Sequence, residues 1–226
     1  QITSKDMETA PAISTCRMFR VPCTALKIVS STVDPNNDIE TKSYNENKDW
    51  VLPILVQTTR VFVQRALERL EREHYQASLM TTTTLLPHTS SNIILIHIAM
   101  VEEATPVAAK LGLIEKVLQP FAAHGIVCWV GVVESRPIVL AAHGRDHTLG
   151  LSKVSTEIAT FTATLLLKTY GDRISVVINA GTGGAMENKG LEIGSVVIAS
   201  EVRFIDARGV MDLHSTLRVD GDTDTN

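Results

Sequence analysis

The chain has 226 residues, 44% of them hydrophobic and 20% charged, which excludes a disordered polymer and gives enough apolar mass for one packed domain plus a remainder. Lys and Arg number 21 against 25 Asp and Glu, a net charge of −4, which argues against a nucleic-acid binder relying on a basic surface. No stretch approaches eighteen uninterrupted apolar residues, so a membrane-spanning helix is not expected. Cys16, Cys23 and Cys128 are scattered without a CxxC pair. That excludes a disulfide framework or a thiolate zinc site and fits a reducing compartment.

The first glycine is Gly112, so all 13 glycines fall in residues 112–226. Residues 1–91 therefore read as an N-terminal extension, largely irregular. Met7–Val33, with Arg17, Arg20 and Lys27 against the single acid Glu8, is faintly like an organellar transit peptide; an arbitrary extension is the competing reading. Asp34–Asp49 reads as a polar linker, and residues 54–78 as an amphipathic helix with Val63, Leu67 and Leu70 on one face. Thr81–Thr84 and Pro87–Ser91 read as a second linker, with Met80 an alternative start for the folded unit.

The ordered region is expected from Asn92. Residues 92–99 form an apolar, β-branched run expected as a buried strand, followed by a helix from about Glu102 to Leu111. Strands at 126–134 and 137–142 are joined as a hairpin at Glu134-Ser135-Arg136. A helix is expected over 152–169, then a strand at 174–179, a glycine loop at 181–184 and a strand at 193–204. Alternating strands and helices predict an α/β fold with a mixed central sheet.

The loop Gly181-Thr182-Gly183-Gly184 follows a buried strand, where ligands bind in α/β sheets. It lacks the third glycine of a dinucleotide fingerprint and the Gly-Lys-Ser/Thr ending of a P-loop, and a tight structural turn explains it equally well. Glu102 and Glu103 suit a helix dipole, and a carboxylate at the end of the first strand is also placed to orient a water as general base. Gly144-Arg145-Asp146-His147 pairs an acid with a histidine but has no nucleophile elbow, so it reads as a polar loop. His97, inside an apolar strand, reads as a core histidine.

Taken together, IAMVEEATP at 98–106, GRDHTLGLSKV at 144–154, INAGTGG at 178–184 and IGSVVIASEVRFID at 193–206 resemble the methylthioadenosine/S-adenosylhomocysteine nucleosidases of the purine/uridine phosphorylase superfamily, the plant-type branch most of all. The resemblance spans residues 92–206 and about the first half of the family's domain. It implies a three-layer phosphorylase-like fold, here truncated, divided as extension 1–91, partial domain 92–208 and polar tail 209–226. It also implies cleavage of an N-glycosidic bond through an oxocarbenium-like transition state, releasing adenine with no metal or organic cofactor.

Glu103 matches the glutamate that positions the nucleophilic water. Met100 matches a methionine against the ribose, Leu151 an aliphatic residue near the sugar and its 5′ substituent, and Thr182 and Gly184 the lining of the base pocket. Asp206 matches a family aspartate, although Ile205 stands where a histidine is usual. Related phosphorylases hold phosphate with arginines, yet the corresponding positions read Asn179-Ala180 and Met100-Val101-Glu102-Glu103, so water is the expected nucleophile and a purine nucleoside phosphorylase the runner-up. The family's later half carries a Met-Glu pair for the ribose hydroxyls and an aspartate for adenine N7. Both are expected to be missing here, with Asp220, Asp222 and Asp224 unsuited to replace the acid. A short non-catalytic relative that binds or stores nucleosides is the third reading. The expected partner is a small adenine nucleoside, with no nucleic acid and no membrane; a homodimer is left open, and the expected location is the cytoplasm, with an organelle the alternative.

Overall fold

The computed structural model describes residues 4–33, 40–80, 93–146, 148, 150–187, 190–203 and 217–218. In chain order the elements are β1 (Ser4–Lys5), α1 (Thr9–Met18), β2 (Cys23–Val33), β3 (Glu40–Lys42), α2 (Tyr44–Met80), β4 (Ile93–Ile98), α3 (Val101–Lys110), β5 (Ile114–Lys116), β6 (Val127–Val133), β7 (Arg136–Ala142), α4 (Thr156–Tyr170), β8 (Ile174–Met186), β9 (Val196–Ile198), β10 (Glu201–Val202) and β11 (Leu217–Arg218). The main sheet runs β3-β2-β8-β4-β7-β6-β5, with β1 added to β8 and β9 to β2. Its four central strands, β2, β8, β4 and β7, are parallel, and the strands outside them are antiparallel.

The uninterrupted apolar run of β4 follows from burial on both faces. Ile94, Ile96 and Ile98 face a core with Val51, Leu55, Val63 and Leu67 of α2 and Ala104 and Val107 of α3. Ile93 and Leu95 face the opposite core, with Cys16 of α1, Leu166 and Leu167 of α4, and Val177. The result is the expected three-layer α/β arrangement. The β6–β7 hairpin also forms as expected, turning through Glu134 and Ser135 at φ 48° and 65°, as a two-residue turn matched to strand twist requires.

Several expectations are corrected. Residues 1–91 are not a largely irregular extension: the stretch read as transit-like forms α1 and β2, and β2 lies inside the sheet, in parallel register with β8 from Cys23↔Val177 to Val33↔Met186. Ala25, Leu26, Ile28 and Val29 are at most 1% exposed. Local pattern does not distinguish such a strand from a mixed polar–apolar tail; its neighbours do. Part of the expected linker at 34–49 is β3 and the first turns of α2, which begins at Tyr44 rather than near residue 54. The edge of β8 away from β4 is covered by β2. Residues 152–155 precede α4, whose first turn is capped by Ser155 Oγ accepting from the Ile158 N–H at 3.2 Å. The expected strand at 193–204 is two short pieces, β9 and β10.

Candidate active site

Glycines usually end strands, yet β8 continues straight through Gly181–Gly184. The expected glycine loop is therefore a strand segment, corrected by its ladder to β2, in which Gly181 pairs with Lys27 and Thr182 with Ile28. A side chain is excluded at Gly181 for two reasons. Its φ is +155°, and a Cβ there would lie 3.1 Å from Glu103 Oε2 and 3.4 Å from Lys27 Nζ. Gly181→Ala is expected to cost about 1–3 kcal/mol through backbone strain and to push Glu103 off Thr182. Equal urea midpoints for the variant and wild type would refute that packing.

Glu103 lies in the first turn of α3, just past the end of β4, and is 1% exposed. Its Oε1 accepts from the Thr182 hydroxyl at 2.5 Å and from the Thr182 N–H at 3.2 Å. Burial pushes its pKa up to about 7, against the Thr182 hydrogen bonds and the charge of Lys27, with Glu8 reinforcing the rise. A carboxylate poised near neutrality is what a general base needs.

The N-terminal segment supplies the rest of the cluster. Lys27, 5% exposed, stands among Asp6, Glu8 and Glu103. Burial opposes its charge, but the three carboxylates outweigh that and raise its pKa. Asp6 Oδ1 lies 3.5 Å from Lys27 Nζ and accepts from the Glu8 and Thr9 N–H groups at 2.9 and 2.7 Å, capping α1. Burial raises the Asp6 pKa, and the Lys27 charge with the Thr9 hydrogen bonds lowers it further than burial raises it. Burial leads the upward shift at Glu8, 6% exposed, despite Lys27. Glu8, beside Met7 at the start of α1, lies close enough to Glu103 to raise its pKa. The expectation of no cation at this end is corrected, although three carboxylates share the single ammonium, so the site still disfavours phosphate.

A buried polar chain braces this cluster. His143 Nδ1 donates to the Lys153 carbonyl at 2.9 Å, which leaves its Nε2 to accept from His97 Nε2 at 2.8 Å. His97 Nδ1 then accepts from Asn179 Nδ2 at 3.1 Å, and Asn179 Oδ1 accepts the Thr9 hydroxyl proton at 3.1 Å. Only two neutral rings satisfy every link. Burial enforces that state, lowering His143 to about 4 and His97 well below its usual range. His97 is a hydrogen-bonded core histidine, as expected.

Met100 is half-buried at the N-cap of α3, and Gly184 is buried opposite Ser31. Leu151 is 65% exposed, on a loop that Arg145 and Ser152 tie to Glu102, each at 2.6 Å. Glu102 is therefore a loop anchor. Among the described residues no hydrogen bond or ion pair links Leu151 to Glu103. His147, Ile205, Asp206, Asp220, Asp222 and Asp224 lie outside the described residues.

A buried carboxylate at the carboxyl ends of parallel strands, beside a glycine strand, defines a small-molecule site of an α/β enzyme class. Residues 93–222 match the phosphorylase superfamily, and the chain belongs to that superfamily. It is 35% identical over 118 residues to the 5′-methylthioadenosine/S-adenosylhomocysteine nucleosidase of Arabidopsis thaliana, covering 49% of this chain and 43% of that protein. It is 37% identical over 116 residues to the 5′-methylthioadenosine nucleosidase of the same plant, covering 49% and 41%. The solved apo structure of Arabidopsis thaliana 5′-methylthioadenosine nucleosidase superimposes with a TM-score of 0.50 at 32% identity, covering 54% of this chain and 50% of that one. The matched stretch spans less than half the length of the curated relatives.

Proposed function

We propose that this chain carries a nucleosidase site that hydrolyses the N-glycosidic bond of 5′-methylthioadenosine, and of S-adenosylhomocysteine where the 5′ pocket admits it. The observation that carries the reading is Glu103, a buried carboxylate poised near pH 7 and held by Thr182. Ionised Glu103 orients a water and takes its proton as the oxygen bonds to C1′. The C1′–N9 bond breaks, and the electron pair leaves with adenine, which takes a proton at N7 from solvent while Glu103 returns the water's proton to solvent. In this reading Glu8 accepts from the ribose hydroxyls, Met100 packs on the sugar, and Thr182 and Gly184 line the base pocket. Lys27 positions Glu103 rather than a phosphate. Asp6 is unsuited to protonate N7, because a lowered pKa opposes proton donation at neutral pH. No described residue is assigned that role.

The test is adenine release from 5′-methylthioadenosine by the purified chain between pH 5 and 9. The expected kcat/KM rises with pH through about 7 as Glu103 ionises. Release that requires inorganic phosphate and yields a sugar 1-phosphate would replace hydrolysis by phosphorolysis. Nucleoside binding without adenine release would replace both by the binding reading.

A further inference from the structure

We infer that residues 4–80 complete the domain of the matched segment: they form, ahead of it, the half of the fold that the family resemblance places after it. The superfamily match begins at residue 93, yet the sheet is built from both sides of that point. β2 runs parallel to β8 along ten paired positions, and its other edge takes β9 at Leu26–Ile28. The backbone joints are those of one continuous sheet. Val177 N–H donates to the Pro22 carbonyl at 2.8 Å, Gly194 N–H to Val29 at 2.7 Å and Ala199 N–H to Ala25 at 3.1 Å.

The side chains agree. Val51, Leu55, Val63 and Leu67 of α2 are fully buried in the same core as Ile94, Ile96 and Ile98. Without residues 4–80 one edge of β8 and one face of β4 would be exposed, and parallel strands are stable only when covered. Polar contacts join the two pieces as well: Thr9 reaches Asn179 across 170 positions, and Lys27 lies beside Glu103. An appended tail resting on a finished domain would bury apolar side chains at a surface. It would not place a strand, a helix cap and a buried ammonium inside the sheet and the acidic cluster. Assigning residues 4–80 to that later half rests on the nucleosidase reading. The docking itself does not.

Two experiments on the full chain test this, and neither uses a nucleoside, so their failure is separable from failure of the proposed activity. The first is a reordered chain in which residues 92–226 are followed through a flexible linker by residues 1–91. It is expected to keep the backbone amide spectrum except near the new joint and to unfold in one transition within a few degrees of the parent. A reordered chain that stays unfolded while the parent folds overturns the inference. The second is the V33C/M186C double variant, whose positions are Cα partners across β2 and β8. Oxidation is expected to give a monomer-sized, cross-linked band on a non-reducing gel. A dimer-sized band would mean that β2 is supplied by a second copy, and the absence of a cross-link that β2 does not lie beside β8; either result overturns the inference.

Discussion

Glu103→Gln is expected to reduce adenine release at least a hundredfold, within the ~10²–10⁴-fold contribution of a positioned general base, and at the same time to stabilise the protein at pH 8. Burial pushes the Glu103 carboxyl up to about 7, from an ordinary glutamate value of 4.5. Between those values the folded state holds a proton that the unfolded state has released, so the wild-type protein loses stability as pH rises through this window. Above pH 7 the loss is complete, at about 3 kcal/mol. Glutamine carries no charge at any pH and keeps an oxygen to accept from Thr182. The variant should therefore melt higher than wild type at pH 8, by roughly 5–10 °C, and the margin should close as pH falls toward 4.5. Thermal melts at pH 8 and pH 5 decide it. A variant destabilised equally at both would show that ionised Glu103 is not held at a cost.

Lys27→Met is expected to act in the opposite direction. It removes the ammonium that stands among Asp6, Glu8 and Glu103 and leaves buried carboxylates uncompensated, which typically costs about 3–5 kcal/mol. The flexible methionine fills most of the lost volume, so the loss reports charge rather than a cavity. Acid should restore much of it, because the carboxyls then fold protonated. Urea unfolding at pH 8 and pH 5 is the measurement. A midpoint at pH 8 within error of wild type would mean that Lys27 does not compensate these carboxylates.

The two variants together show why this site was only partly legible in the sequence. Glu103 was legible because its neighbours in sequence carry the signal: an apolar strand, a helix start and IAMVEEATP. Thr182 and Gly184 were legible for the same reason, each within a contiguous motif. Lys27 and Glu8 were not. Lys27 sits in CTALKIVSSTV, where alternation gives little sign of burial, and its importance arises from the three carboxylates that the fold brings to it. Glu8 gains its meaning only when the fold places it near Glu103. The glycines misled in another way, since Gly181–Gly184 read as a loop, whereas the close approach of Glu103 and Lys27 requires a strand without a Cβ at Gly181.

By itself the sequence determined the elements whose signal is local: the buried run Ile93–Ile98, the hairpin turning at Glu134-Ser135, a helix within 152–169 though not its start, and the superfamily resemblance carried by residues 92–206. These depend on period, caps and turn conformations within a few residues. Only the tertiary structure decided that Cys23–Val33 is a sheet strand, that Asp6 and Glu8 converge on Lys27, and that two neutral histidines link Lys153 to Asn179. Strand pairing and charge compensation form between residues far apart in the chain. Their free energy comes from burial and desolvation shared across that distance, and no window of sequence contains it.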